Sequence, residues 1–412
     1  MTTPAPPDGT RFVPPGAARA RAEALAKLHE LYRLWGYALV EAPSLERYDP
    51  AHPRSEQSFK LSDRDSGVLA LRSDFTPALA QLVRTSFPAA AAGESLALRL
   101  RYSGTVWHAI DPELARTREF TQVGIELVGV SHARADAELI HLARESVRAV
   151  GLVPRVEIGN PGFVRALFDV ARVPAAHRDA MADAIDRKDR SDIARLVDEL
   201  GLSGGPAAAL LEVPDLYGMG DVLAEARRLA PWEETRVEID RLAGVMEQFE
   251  DDSELLLDLG MARRLTYYTG VTFRAFTFDY GQPLLGGGRY DGALLPYAAG
   301  FSIGLERLMA ALPAAGEAPA PRVLATDDVA ARWLRRHGVL VLRASSGERG
   351  EAAAEARRRG IPYLLHEGAL SALAGVGAGA GSRGDDGELA RLRAVLAGAH
   401  GGAQADAGAG DG

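Results

Sequence analysis

The sequence predicts a protein of the α+β class: a long first region mixing strands and helices, a largely helical stretch inside it, and a small α/β piece after a linker. Three observations predict this. Runs at Leu98–Trp107, Arg118–Val128 and Tyr267–Phe278 are alternating or rich in aromatic and β-branched residues, as strands are. Residues 162–249 read as mainly helical, with turns at Gly201–Pro206 and Gly218–Gly220. An Ala- and Pro-rich linker, Pro313–Pro321, precedes two short strand-like runs that flank a helix. The 412 residues suit two or three domains, at ~100–200 residues each. The expected division is a main body at 1–320 containing the helical insertion, a small α/β domain at 321–371, and a Gly/Ala-rich tail at 372–412. Most of that tail is expected to be disordered, having little apolar surface to offset its ordering entropy.

Each element has a local reason. After Pro14-Pro15-Gly16, Leu25, Leu28, Tyr32 and Trp35 recur at helical spacing, and Gly36 ends the helix. Tyr37–Glu46 is extended through Pro43, and Val68–Leu71 reads as a strand. Thr76-Pro77 reads as a helix start, with the hydroxyl as cap and proline where no N–H is needed. Asp136–Val150 is a helix. Gly286-Gly287-Gly288 reads as a turn, and Phe301–Ile303 as a short strand running into a helix from Leu305. Val339–Arg343 and Tyr363–Leu365 are strands around a helix at Glu351–Arg359.

The run from Arg118 to Val128 is the most informative. Val123, Ile125 and Leu127 alternate with Gln122, Gly124 and Glu126. Successive side chains of a strand point to opposite faces, so Gln122 and Glu126 share a face, with bare Gly124 between them. This pattern fits a floor with room for a small ligand. It also fits a strand surface facing solvent, and the spacing leaves both open.

Composition excludes several classes. Net charge is −9, the 47% hydrophobic fraction is ample for a core, and no long basic patch points to nucleic acid. There is no cysteine, hence no disulfide or thiolate metal site, which suits a cytoplasmic protein. The nine histidines show no metal-ligand spacing, so neither metal nor other cofactor is expected. No apolar run approaches the ~20 residues of a membrane span, and the Pro-rich N-terminus lacks an apolar signal core.

Four segments carry chemistry. They are Leu71-Arg72-Ser73-Asp74-Phe75-Thr76-Pro77; Arg101-Tyr102-Ser103-Gly104 with Arg116, Arg118, Phe120 and Gln122 to Glu126; Arg263 to Gly270 followed by Gly286 to Gly292; and Gly300 to Leu308. Singly, each has an ordinary explanation: a surface pair at Arg72 and Asp74, a plain turn, tyrosines packed in a core, a solvated helix face at Glu306-Arg307. In this order and spacing they resemble the class II aminoacyl-tRNA synthetases, and within them the histidyl enzymes, over roughly residues 12 to 312. The resemblance implies an antiparallel sheet flanked by helices, usually dimeric.

The resemblance also assigns roles. Asp74, Gln122 and Glu126 would hold the α-ammonium or ring of histidine, Thr76 would line the pocket, and Tyr268 and Tyr290 would contact the imidazole. The chemistry fits, since a zwitterion with an imidazole needs carboxylates for its cation and hydroxyls for its ring nitrogens. The nucleotide side departs from the family pattern. His108 follows Trp107 where the synthetases carry a phosphate-gripping arginine, and a largely neutral imidazole cannot replace that forked cation. Ile110 replaces an acid. Arg-Gly-Leu-Asp-Tyr-Tyr has become Arg263-Arg264-Leu265-Thr266-Tyr267-Tyr268. Arg116, Arg118, Arg263 and Arg307 remain as residual nucleotide-site positions. The foldable C-terminal part, Arg322–Ser371, is far shorter than an anticodon-binding domain.

A kept amino-acid pocket beside eroded ATP and tRNA functions resembles the synthetase paralogues that serve as regulatory subunits of ATP phosphoribosyltransferase. That resemblance implies no catalytic residues and no aminoacylation of its own. It also implies a short-form catalytic subunit and L-histidine as partners, a self-dimer within a hetero-oligomer, and neither membrane nor tRNA. The alternatives are a divergent histidyl-tRNA synthetase with a truncated C-terminus, against which His108 speaks, and a free-standing amino-acid- or RNA-binding module.

Overall fold

The first helix runs Pro15–Leu34 and buries Ala24, Leu28 and Tyr32, one stripe at four-residue spacing. Trp35 falls outside the stripe, at the C-cap, and Gly36 ends the helix with a φ of +82°. The computed structural model describes residues 5–406 apart from 51–54, 65–66, 94–96, 112–116, 220, 251–252, 263–267, 279, 314–319 and 375–384. These residues fall into two units, Met1–Ala315 and Gly316–Gly412.

The first unit is built on a nine-stranded sheet among the described residues. In spatial order its strands are Ala38–Leu39, Leu98–Trp107, Glu119–Val128, Ala298–Gly304, Tyr280–Arg289, Thr272–Thr277, Pro154–Gly159, Leu255–Asp258 and Tyr217–Gly218. All neighbours are antiparallel except Ala38–Leu39 with its partner and Pro154–Gly159 with Leu255–Asp258. Helices Pro15–Leu34 and Ala133–Ala149 cover the face to which Val123, Ile125 and Leu127 point, and those three are fully buried there with Leu28, Leu139 and Ile140. Each such side chain contributes roughly 1.5–3 kcal/mol. Tyr32 Oη meets Ser146 Oγ at 2.9 Å, so the two helices share one buried polar contact. The stretch expected to be helical contains Pro161–Val170, Ala175–Asp186, Arg190–Glu199, Gly204–Glu212, Val222–Leu229 and Glu233–Met246.

Three expectations for the first unit need correction. Gly286, Gly287 and Gly288 are not a turn but lie inside the strand Tyr280–Arg289, bonded on both sides. Composition misleads here, because glycines that permit a turn also permit close approach: a Cβ on Gly287 would lie 2.3 Å from the carbonyl oxygen of Gly300. The hydroxyl of Thr76 does not cap the helix Thr76–Ser86 but donates elsewhere. The strand expected over Tyr267–Phe278 spans Thr272–Thr277, and residues 263–267 lie outside the described ones.

In the second unit the sheet order is Val341–Arg343, Val323–Ala325, Tyr363–His366, Ala369–Ala372, the first three parallel and the last antiparallel. Helices Asp328–Arg336 and Arg349–Arg358 make the crossovers. The tail differs from the expectation of disorder: Asp385–Asp406 is a helix. It buries Leu392 and Leu396 against Val323, Leu334 and Tyr363. Leu389, Leu392 and Leu396 recur at helical spacing, an apolar stripe diluted by Gly and Ala in the sequence. Among the described residues no helix is long and apolar enough to cross a membrane.

Candidate functional site

Strand register builds the site. Glu126 stands between Leu100 and Gly300, and Gly300 faces Gly288. Two residues along, Gly124 stands between Tyr102 and Ser302, with Gly286 beyond. Two further, Gln122 stands between Gly104 and Gly304. Alternate residues share a face, so these rows form one surface, opposite to the helix-packed one and largely bare of side chains. The bareness is required. A Cβ on Gly300 would lie 2.1 Å from Oε2 of Glu126, and one on Gly124 would lie 2.6 Å from the Tyr102 hydroxyl.

Glu126 is 3% exposed, and Gln122 is buried too. That removes the solvent-facing reading of this strand. The Glu126 carboxylate accepts from Thr76 Oγ1 at 3.1 Å and from Tyr290 Oη at 2.5 Å. Burial pushes its pKa up to about 8, with the charge of Asp74 adding and the two hydroxyls opposing. Asp74 is half-buried, and its Oδ1 accepts from the amides of Phe75 (2.7 Å) and Thr76 (3.4 Å). The aspartate thus takes the amides at the helix start, and the Thr76 hydroxyl turns to Glu126.

Beneath this corner Phe75 stacks on Tyr102 at 4.4 Å, and the Arg72 guanidinium lies 3.8 Å from the Phe75 ring. Arg72 is buried and donates to the carbonyls of Ala42, Pro43 and Thr105 at 2.7, 3.0 and 2.8 Å. It fastens backbone and is not a surface partner of Asp74. Glu46 is a group the sequence reading missed. It is half-buried, with its carboxyl raised mainly by burial while Arg72 and Asp74 act in opposite senses. Its signal was faint, one acid after a proline in an extended run. Three carboxyl groups, one buried and two half-buried, suit a cationic ligand group.

In the Gly286–Gly292 segment alternation divides the labour. Tyr290 is 4% exposed and turns to Glu126. Arg289 is fully buried and points the other way, donating to Asp136 Oδ1 at 2.8 Å, Val130 O at 2.8 Å and Asp291 Oδ1 at 2.9 Å. Tyr268 is half-buried, beside Thr269, whose amide donates to Arg289 O at 2.8 Å. The structure therefore brings Asp74, Thr76, Glu126 and Tyr290 together, places Gln122 on the same floor, and sets Tyr268 beside the end of the strand that leads into Tyr290.

Of the residual nucleotide positions, His108, Arg118 and Arg307 are described, and they lie toward the other end of the floor, where Gly104 and Gly304 flank Gln122. His108 Nε2 donates to Ser73 O at 3.0 Å, and its ring meets Phe120 edge-on at 5.0 Å. The Arg118 guanidinium lies 4.8 Å from the Phe59 ring. Arg307 is exposed on the helix Leu305–Ala311. Arg116 and Arg263 lie outside the described residues. Its neighbour Glu306 is not a solvated helix face: it pairs with Arg21 at 2.8 Å and accepts from the Thr121 amide at 2.9 Å.

The histidyl-tRNA synthetase family model matches residues 9–308. The chain is 44% identical over 362 residues to the ATP phosphoribosyltransferase regulatory subunit of Thermus thermophilus, covering 87% of this chain and 96% of the relative. It is 43% identical over 366 residues to that of Deinococcus radiodurans, covering 88% of each. Among solved structures it is similar to an ATP phosphoribosyltransferase regulatory subunit/histidyl-tRNA synthetase from Bacillus halodurans C. There the TM-score is 0.75 at 26% identity, over 88% of this chain and 97% of that one. The fold is shared with histidyl-tRNA synthetase from Nostoc sp. PCC 7120, at TM-score 0.70 and 20% identity over 88% of this chain and 91% of that one. By family model and by relatives, the chain belongs to the histidyl-tRNA synthetase-like family of ATP phosphoribosyltransferase regulatory subunits.

Proposed function

We propose that the chain assembles with a short-form ATP phosphoribosyltransferase catalytic subunit, supports its activity in the first step of L-histidine biosynthesis, and makes it sensitive to free L-histidine bound over Glu126. The observation that carries the reading is the buried Glu126 carboxylate, held by Thr76 and Tyr290 above a glycine floor. That corner offers charge to an ammonium and hydroxyls to an imidazole, with Asp74 beside it, Gln122 further along the same floor and Tyr268 next to the backbone that leads into Tyr290.

The nucleotide end supports a chain without aminoacylation of its own. His108 spends a proton on the Ser73 carbonyl where a phosphate would need a forked cation. Feedback then takes the form of linkage: histidine inhibits by binding the less active state of the complex more tightly, with a coupling of ~1–3 kcal/mol. A self-dimer within a cytoplasmic hetero-oligomer, free of tRNA, completes the proposal.

The test is co-purification with the short catalytic subunit, with phosphoribosyl transfer assayed with and without histidine. A stable complex, higher activity on mixing and inhibition by histidine are expected. Two separate species with unchanged activity would refute the assembly. No heat on titration with millimolar histidine, free or in complex, would refute the sensor.

A further inference from the structure

We propose that Arg165, on the first helix of the insertion, is a positioning residue of the ligand site, tying the insertion to the pocket wall at Tyr268. This rests on the reading of that site as a histidine pocket. Arg165 lies on the helix Pro161–Val170 and is half-buried. Its Nη1 donates to Tyr268 O at 2.8 Å and its Nη2 to Thr269 O at 3.0 Å. One planar fork thus holds two consecutive carbonyls. Those carbonyls precede the strand Thr272–Thr277, so its ladder bonds do not serve them.

The grip continues on both sides. The Thr269 amide donates to Arg289 O at 2.8 Å and the Arg289 amide to Val271 O at 2.9 Å. The held segment therefore borders the backbone that carries Tyr290. On the insertion side Asn160 is fully buried and caps the Arg165 helix through Gly162 N at 3.0 Å. Its Nδ2 donates to Glu238 O at 3.0 Å and Glu238 Oε2 at 2.8 Å, fixing that helix to Glu233–Met246. From the latter helix Arg241 reaches toward Asp291, 3.7 Å away. Two helices of the insertion therefore meet the pocket wall, and Arg165 is the side chain that holds the Tyr268–Thr269 backbone directly. Lysine, with a single compact head, cannot reproduce a fork across two carbonyls.

The test compares Arg165→Ala, Arg165→Lys and Arg178→Ala in the full chain. Arg178 pairs with Asp169 at 2.6 Å on the same insertion and serves as a control. Histidine affinity is read by calorimetry, and amide hydrogen exchange is followed without ligand in the 268–271 segment and in Glu119–Val128. Losing hydrogen bonds from a charged donor corresponds to about a tenfold loss or more. The expected result is that loss in Arg165→Ala, partial recovery in Arg165→Lys, and no change in Arg178→Ala. Exchange should quicken at 268–271 and not in Glu119–Val128. If wild type binds histidine and Arg165→Ala binds equally well, positioning is overturned while the pocket stands. Exchange rising across the whole sheet, with equal losses in Ala and Lys, would reduce Arg165 to a structural prop and overturn the proposal. If wild type binds no histidine, the pocket reading falls and the proposal with it.

Discussion

Replacing Glu126 with glutamine should alter affinity and stability in opposite directions. Burial raises this carboxyl to about 8, so at pH 7 the free protein holds it mostly protonated. An ammonium ligand needs the carboxylate, so binding must expel a proton. Affinity should then rise several-fold between pH 7 and pH 8, because each pH step below the titration midpoint corresponds to about 1.4 kcal/mol. Hydrogen bonds to charged groups contribute ~1.5–3 kcal/mol. Glu126→Gln should therefore weaken histidine binding by roughly 10- to 150-fold, nearer the lower end at pH 7 where wild type must first ionise.

Stability has the reverse sign. A carboxyl raised above its unfolded value of 4.5 binds more protons folded than unfolded between the two values. Its stabilising contribution is complete below the lower value and is lost as pH rises toward the higher. The ligand-free variant lacks that loss, so its Tm should gain on wild type from pH 5 to pH 8. Calorimetry in buffers of differing ionisation enthalpy counts the expelled proton, and thermal melts across the same pH range read the stability. Affinity independent of pH in wild type, or a variant that binds equally well, would refute the reasoning.

Other outcomes follow from the same geometry. Gly300→Ala forces a methyl against Glu126 and the Ile125 carbonyl; it should abolish measurable histidine binding and cost about 1–3 kcal/mol, read by calorimetry and urea melts. Asp136→Asn removes one of the two carboxylates that pair with the buried Arg289 guanidinium, leaving Asp291, and should cost about 1.5–3 kcal/mol, read as a lower denaturation midpoint. Leu392→Ala should cost about 2–5 kcal/mol within the second unit, read as faster hydrogen exchange in Tyr363–His366. The purified chain should show no histidine-dependent ATP–pyrophosphate exchange, since losing one preorganised contact costs ~10²–10³ in rate; robust exchange would contradict the role given to His108.

Much of the frame was legible in local pattern. Leu98–Trp107 and the strand through Glu126 emerge from alternation, and parity alone placed Gln122 and Glu126 on one face. Parity could not tell whether that face met solvent. The answer depends on Thr76 and Tyr290, which lie 50 and 164 residues away from Glu126. The glycine triplet misled because bare backbone serves a turn and a tight sheet equally. Thr76 misled because Asp74, two residues earlier, was the better acceptor for the first helical amides. The tail helix went unread because three leucines stand among Gly, Ala and charged residues that add little apolar surface to the stripe. Arg165 carries no local signal and Glu46 only a faint one, since their partners are backbone groups and charges set by the fold.

The order of strands around Glu126 also governs when the corner can exist. Its strand pairs with Leu98–Trp107 through a short connection, whereas its other neighbour, Ala298–Gly304, follows after the whole helical insertion. During synthesis the hairpin with Glu126 forms early and exposes an unpaired edge, while the glycine that makes room for the carboxylate is still to be translated. Non-local pairing of this kind is slow, and an open edge invites association with other chains. The insertion is translated in the interval and its helices contact one another locally, so they can form before the wall they meet is made. The Glu126 corner is thus completed only once residues 290 and 300 are translated, and a nascent chain halted before residue 298 would carry Glu126 without Gly300 beside it.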